Sequence, residues 1–411
     1  MKILFIHQNF PGQFIHLAPA LAANTQNDVR ALTMQQTIPA VWNGVKLFPY
    51  QITRGTCADM HPWLADTEPK AIRGEAAMRS ALLLRAQGFT PDVIIAHPGW
   101  GESLFLKQVW PEAKLGIYAE FFYHSRGADV GFDPEFPLNA IDNACKIQLK
   151  NINNLLHMQL ADAAISPTHW QASTFPSQWR ERISVIHDGI HTDKLVPNPG
   201  IAVKLSNGLT LTRKDEVITF VNRNLEPYRG YHTFMRALPE VLKSRPQARI
   251  LIVGGDDVSY GARPAQGNWK QIFLQEVLPQ IAASDLERIM FLGNLPYEQF
   301  IPLLQLSRVH VYLTYPFVLS WSLLEAMSVG CAIVASDTQP LHEAIRHNET
   351  GRLVNFFDSQ KLAQEICNLL SDETERLRLG SNARRFAQEN YDLQNICLPA
   401  QLAWVQRLLA I

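Results

Sequence analysis

Residues 308–354, RVHVYLTYPFVLSWSLLEAMSVGCAIVASDTQPLHEAIRHNETGRLV, restrict the possible folds of this chain more than any other stretch. An apolar run at 309–313 predicts a strand, 314–321 a loop, and 322–328 a helix that Gly330 stops. A second apolar strand is expected at 332–336, then a short helix and strand. Short strands with no polar alternation are buried on both faces, as in parallel sheets covered by helices. A helix that starts at a strand's carboxyl end points unpartnered N–H groups and its positive dipole end at one place, where such sheets hold anions. Ser322 is expected to be the N-cap, with Glu325 at the third helical position completing a capping box. Local pattern leaves Glu325 with two readings, a cap of its own helix or a ligand contact.

The run LLEAMSVGCAIVAS, followed by HEAI and ETGRLV, resembles the C-terminal signature of retaining sugar-nucleotide glycosyltransferases of family 4, which are two-domain GT-B enzymes. The resemblance is strong over 161–370 and diffuse before 160. It implies that Glu325 binds the donor's ribose and that the backbone of Ser320, Trp321, Ser322 and Leu323 holds the diphosphate. The segment Asn222-Arg223-Asn224-Leu225-Glu226-Pro227-Tyr228-Arg229-Gly230 is similar to the family's phosphate-binding pattern. Arg223 and Arg229 keep its spacing, with Arg in place of the usual Lys, and a guanidinium suits a phosphate well. Without the resemblance, these are two surface arginines on a turn. Asn222 joins them as a donor-side candidate, and Asn294 and Leu295 are placed at the nucleobase. One position departs from the pattern: a second Glu is usual eight residues before Glu325, and here it is Phe317, which cannot accept a hydroxyl hydrogen bond. The resemblance therefore implies an atypical donor, or a sugar held against the rings of Tyr315 and Trp321.

Size and charge bound the rest. A chain of 411 residues exceeds one ordinary core, so two domains are expected. With 47% hydrophobic and 18% charged residues and a net charge of −1, the composition is that of a globular protein without a basic field for nucleic acid. Cys57, Cys145, Cys331, Cys367 and Cys397 are scattered, without metal-ligand spacing, and read as reduced thiols of a cytoplasmic protein. MKILFIHQNF is too short for a signal peptide and reads as a first strand, and no apolar run is long enough to span a membrane. The helix expected over 70–87 carries Arg73, Arg79 and Arg85. It has two readings: a solvated face, or a basic surface giving weak peripheral contact at the inner face of the membrane.

Earlier in the chain, the strand 1–6 enters the loop 7–13 and a helix follows at 14–23. Gly12 stands alone, so there is no dinucleotide fingerprint. By resemblance this loop lies near the substrates, making Asn9, Gly12 and Gln13 candidates; otherwise it is an ordinary turn. Strands at 91–96 and 115–119 deliver His97 and Glu120 to one sheet edge. Glu120 stands where family members usually carry a His at the reaction centre. A carboxylate there could take a proton from an acceptor hydroxyl or shield positive charge developing on the sugar, the alternative being an ion pair with Arg126. Residues 125–142 are expected to be one long loop, 146–161 a helix, and 192–214 a linker at which domain closure would hinge. Asp256 and Asp257 read as loop carboxylates with no metal, and 259–267 as an insertion over the donor. Residues 390–392 are expected to begin a terminal helix.

The expectation is an α/β protein of GT-B type: two Rossmann-like doubly wound domains, 1–195 and 196–390, facing a cleft, with a helix over 391–411 crossing back to the first. Its function would be metal-independent, retaining transfer of a hexose from a UDP- or GDP-sugar donor, without a cofactor, to a carbohydrate or lipid-linked hydroxyl acceptor in polysaccharide or glycoconjugate synthesis. Catalysis would rest on Glu120, His97, Arg223 and Arg229. Two alternatives share these residues, a GT-B sugar-nucleotide epimerase and a non-catalytic sugar-nucleotide-binding subunit.

Overall fold

The unbroken apolar runs form parallel strands because both of their faces are covered. The computed structural model describes all 411 residues, as two units: Met1–Gly189 with Gln394–Ile411, and Ile190–Leu393. In the first unit the strands are β1 (Lys2–Ile6), β2 (Asp28–Thr33), β3 (Val41–Trp42), β4 (Val45–Pro49), β5 (Val93–Ala96), β6 (Lys114–Tyr118), β7 (Ala163–Ser166) and β8 (Ile183–Val185). They form one sheet in the order β3-β4-β2-β1-β5-β6-β7-β8, parallel except for the short β3. The second unit holds β9 (Ala202–Lys204), β10 (Thr210–Thr212), β11 (Val217–Asn224), β12 (Arg249–Gly255), β13 (Ile289–Gly293), β14 (Val309–Tyr312), β15 (Ala332–Ser336) and β16 (Arg352–Val354). Its parallel sheet runs β13-β12-β11-β14-β15-β16, and β9 and β10 make a separate hairpin.

In each sheet the chain starts in the middle, winds to one edge, returns and winds to the other. The reversal falls between β1 and β5 in the first unit and between β11 and β14 in the second. Loops at the carboxyl ends of those strand pairs diverge to opposite faces and leave a crevice, the usual ligand position in a doubly wound sheet. The topology thus selects the loops after Ile6, Ala96, Asn224 and Tyr312 before any chemistry is considered.

Several boundaries differ from expectation. Residues 192–214 are part of the second unit: β9 and β10 pair there, Gln305 Nε2 donates to Val196 O (2.7 Å), and Ser328 Oγ donates to Leu195 O (2.7 Å). A turn at Asn207-Gly208 makes a hairpin from a stretch whose Pro and Gly content suggested a linker. The helix expected over 146–161 is two, Ala140–Lys150 and Ile152–Leu160, because Asn151 spends its side chain on Tyr123 instead of continuing one axis. Residues 390–392 end a helix rather than begin one. Glu373–Tyr391 stops there, Asp392 pairs with Ile190, and the terminal helix is Leu398–Ala410. That helix packs on β6 at Gly116, where a Cβ would lie 2.6 Å from both Trp404 and Leu408, so only a bare backbone admits it.

The three arginines of the helix Thr67–Ala86 do not make one basic face. Arg85 donates to Val109 O (3.0 Å), Arg79 pairs with Glu75 (3.2 Å), and the charge of Arg73 acts on the buried Tyr50–Glu102 pair. No helix is long and apolar enough to cross a membrane.

Candidate functional site

In the first unit β1 and β5 each deliver a histidine to the crevice. His7 and His97 are both 2% exposed, with ring centroids 5.4 Å apart. Trp100 packs against both, and Tyr118 from the end of β6 stacks on His97 at 5.3 Å. Each imidazole accepts at Nδ1 from the backbone N–H two residues on, Asn9 for His7 (3.0 Å) and Gly99 for His97 (3.2 Å). In its neutral form, a ring so placed carries its proton on Nε2. His7 Nε2 donates to Gln13 Oε1 (2.8 Å), and Gln13 Nε2 donates to Glu120 Oε1 (3.3 Å). His97 Nε2 faces Glu120 Oε2 at 3.7 Å, longer than a hydrogen bond.

Glu120 is thus met by Gln13 and His97, which answers the alternative of an ion pair with Arg126 on geometry. Its side chain keeps 38% of its surface, a carboxylate held from behind with one side open. Burial opposes its ionisation, but His97, His7 and Gln13 outweigh burial and hold its carboxyl below the usual carboxylate range. Burial first, and then the charge of His97, push His7 down to about 4. Gly12 has φ +49°, and a Cβ there would lie 2.1 Å from His7 Nε2. Asn9 is exposed and contributes its backbone N–H.

In the second unit Arg229 is 5% exposed, on the 3-10 turn Pro227–Arg229 after β11. Its Nη1 donates to Thr314 Oγ1 (2.7 Å) and Val318 O (3.1 Å), so the guanidinium sits against the loop that leads into the helix Trp321–Ser328. Ser320, not Ser322, caps that helix by accepting from Ser322 N–H. The cap lies two residues earlier than expected, which moves Glu325 out of capping-box position. Glu325 is instead buried, and its Oε1 accepts from the Tyr297 hydroxyl (2.8 Å). Burial raises its pKa, partly offset by that bond.

Arg223 is exposed near the end of β11, whereas Arg229 is buried. Asn222 is half-buried beside Arg223. Asn294 is exposed after β13, Leu295 is half-buried, and a Cβ on Gly255 would meet the Asn294 side chain at 2.9 Å. Leu323 is fully buried, Ser322 is half-buried, and Trp321 is exposed on the first helical turn.

Phe317 is buried in an aromatic group: 5.3 Å from Tyr228 and 5.0 Å from Tyr260, with the Arg229 guanidinium 5.9 Å from its ring centre and 5.0 Å from that of Tyr260. Tyr315 joins through Tyr228 at 4.8 Å. Tyr260 is held by Glu226, 0% exposed, whose carboxylate accepts the N–H groups of Ser259 (2.9 Å), Tyr260 (3.3 Å) and Gly261 (2.9 Å). The insertion after β12 is thereby fixed against Arg229. His7, Tyr260, Tyr297, Thr314 and Glu226 were not legible as site residues. Glu226 carried the nearest signal, a carboxylate between two motif arginines.

Two Rossmann-like doubly wound units in one chain define the GT-B class. Residues 25–195 match the profile of the glycosyl transferase family 4 group, and residues 204–386 that of glycosyl transferases group 1. The chain belongs to the group 1 glycosyltransferases of the family 4 type. Among curated relatives, D-inositol 3-phosphate glycosyltransferase of Corynebacterium efficiens is 27% identical over 213 residues, 51% of this chain and 47% of that one. Spore coat protein SA of Bacillus subtilis is 25% identical over 231 residues, covering 54% and 58%. The chain thus spans about half the length of the curated relatives it matches. Among solved structures, sucrose-phosphate synthase from Thermosynechococcus elongatus has a TM-score of 0.70 at 17% identity over 100% of both chains. Anabaena HepE in complex with UDP and glucose has a TM-score of 0.65 at 17% identity over 99% of both. At such identity the likeness is one of fold.

Proposed function

We propose that this protein transfers a sugar from a nucleoside diphosphate donor to an acceptor hydroxyl, with retention at the anomeric carbon and without a metal ion. The observation that carries the reading is Arg229, a buried cation whose Nη1 is anchored 3.1 Å from Val318 O, two residues before the N-cap of the helix Trp321–Ser328. A guanidinium beside the positive dipole end of a helix makes a preorganised place for a diphosphate. Negative charge grows on the leaving phosphate as the glycosidic bond breaks. Arg229, Arg223 and the positive end of that helix then bind the transition state more tightly than the ground state. A phosphate oxygen takes the acceptor's proton, so the acceptor adds on the face the leaving group vacates. Glu325, with Oε1 committed to Tyr297, offers Oε2 to a ribose hydroxyl. In the first unit Glu120, backed by Gln13 and His97, is a carboxylate fit to orient a substrate hydroxyl.

The UDP bound in the Anabaena structure supports a uridine diphosphate donor, and the glycosyltransferase family supports an acceptor, which we take to be a carbohydrate or lipid-linked hydroxyl in polysaccharide or glycoconjugate synthesis. Melting the protein against UDP-, GDP- and ADP-sugars tests the reading, since a bound ligand raises Tm by mass action. One selective donor is expected, hydrolysed or transferred at a rate that EDTA leaves unchanged, with an α-configured donor giving an α-configured product by NMR. If no sugar nucleotide raises Tm or is turned over, the reading fails.

A further inference from the structure

The strands β1, β5 and β8 share one terminal device. His7 and His97 directly follow β1 and β5, His187 lies just beyond β8, and each accepts at Nδ1 from the N–H two residues later, Asn9, Gly99 and Gly189. This turn fixes the tautomer without another side chain, leaving an N–H at Nε2 with a set direction. At His97 that N–H faces Glu120. At His7 it is directed at Gln13 Oε1, and this fixes which end of the Gln13 amide faces Glu120. A primary amide is nearly symmetric in shape, so without a committed donor on its oxygen it can turn. The carboxylate would then face an amide oxygen and be repelled.

We propose that His7 is a positioning residue for Glu120, acting through Gln13, and that Gly12 is glycine so that the His7 ring can reach that amide. The proposal rests on the reading of Glu120 as a hydroxyl-orienting carboxylate in sugar transfer. Gly12 carries the second half: a Cβ would meet His7 Nε2 at 2.1 Å, Cε1 at 2.3 Å and Cδ2 at 2.8 Å, so any side chain there displaces the ring from its partner. The ring is otherwise held on edge by Phe14 at 5.9 Å and Trp100 at 4.9 Å. The titratable groups facing Glu120 are His7 after β1, His97 after β5 and Tyr118 at the end of β6, the last donating its hydroxyl to Asp188 (3.0 Å). Burial lowers His7 to about 4, so above pH 5 the relay works by direction of a donor, and its charge adds to the pull on Glu120 only at lower pH.

Two variants separate the donor from the ring. In His7→Asn the side-chain oxygen can still accept from Asn9 N–H, which preserves the turn, but the reach to Gln13 is lost. In His7→Gln an amide N–H is restored near the place of Nε2. The first readout needs no turnover: the carboxyl carbon of Glu120, assigned by its loss in Glu120→Gln, is titrated by 13C NMR in each protein. His7→Asn should titrate Glu120 at higher pH than wild type, and His7→Gln should return it toward the wild-type value. With a donor in hand, the acid limb of the kcat profile should move to higher pH in His7→Asn, and kcat should fall about 10- to 100-fold with donor KM within twofold. An unchanged titration in His7→Asn overturns the proposal, as does an equal shift in both variants, which would assign the effect to ring packing or to the lost charge of His7. If no sugar nucleotide is turned over, the transfer reading fails, while the titration still decides whether His7 acts on Glu120.

Discussion

Arg229 and Arg223 have equal standing in the motif and unequal standing in the molecule. Arg229 is buried and bonded to Thr314 and Val318, while Arg223 is exposed. Arg229→Ala should therefore lower turnover by about 10²-fold or more and also lower stability by about 1–3 kcal/mol, since it orphans buried acceptors. Arg223→Ala should lower turnover with Tm unchanged. Turnover of Arg223→Ala within twofold of wild type would remove it from the mechanism. Glu325 has lost its reading as a helix cap, because Ser320 does that work. Glu325→Ala is expected to raise donor KM more than it lowers kcat. Unchanged donor affinity with a lower Tm would leave it a buried partner of Tyr297 and nothing more.

The insertion after β12, expected over the donor, is the element whose anchoring the structure supplies. One buried carboxylate, Glu226, satisfies three consecutive N–H groups at Ser259–Gly261, and Asn224 Nδ2 donates to Ser259 Oγ (2.9 Å). A loop of Gly, Pro and Arg would otherwise move freely over Arg229. Glu226→Gln trades one acceptor oxygen for an amide N–H that confronts the loop's own N–H groups, a net loss of about 1–3 kcal/mol of local stability. Amide hydrogen exchange at 259–261 should accelerate about 5- to 100-fold while that of β11 and β12 is unchanged. Equal protection in the two proteins would show that the aromatic packing of Tyr260 alone holds the loop.

At the scale of the whole molecule, buried neutral imidazoles set the acid limit. Burial lowers His157, His187 and His7 to about 4 and His310 to about 3, against 6.5 in an unfolded chain. Below 6.5 the unfolded chain takes up protons at these sites that the folded chain refuses, so stability is lost as pH falls from 6.5 toward 4. Above 6.5 the four sites contribute a constant amount. Tm should be level from pH 7 to 9 and drop steadily between 6.5 and 4, before the salt-bridged carboxylates Asp28 and Glu375, whose pKa values are lowered by Arg30 and Arg378, begin to protonate. A level Tm through pH 5 would mean that these rings are hydrated and charged in the folded state.

The second unit was largely legible because its signals are local. Apolar runs bounded by Gly, a strand carboxyl end leading into LLEAM, and the spacing of Arg223 and Arg229 all lie within a few residues of each other. Boundaries that depend on distant partners were not legible, such as the Asp392–Ile190 pairing, the β9–β10 hairpin and the break at Asn151. The sequence by itself determined the strand and helix alternation, and with it the doubly wound class, since unbroken apolar strands can be buried only between helices. Only the tertiary structure decided that Glu325 answers to Tyr297, that Phe317 joins an aromatic group around Arg229, and that His7 and Gln13 form a hydrogen-bonded chain ending on the Glu120 carboxylate. Each of these pairings joins residues on separate elements, and side-chain direction at such a meeting is set by the packing of strand ends, which no local pattern encodes.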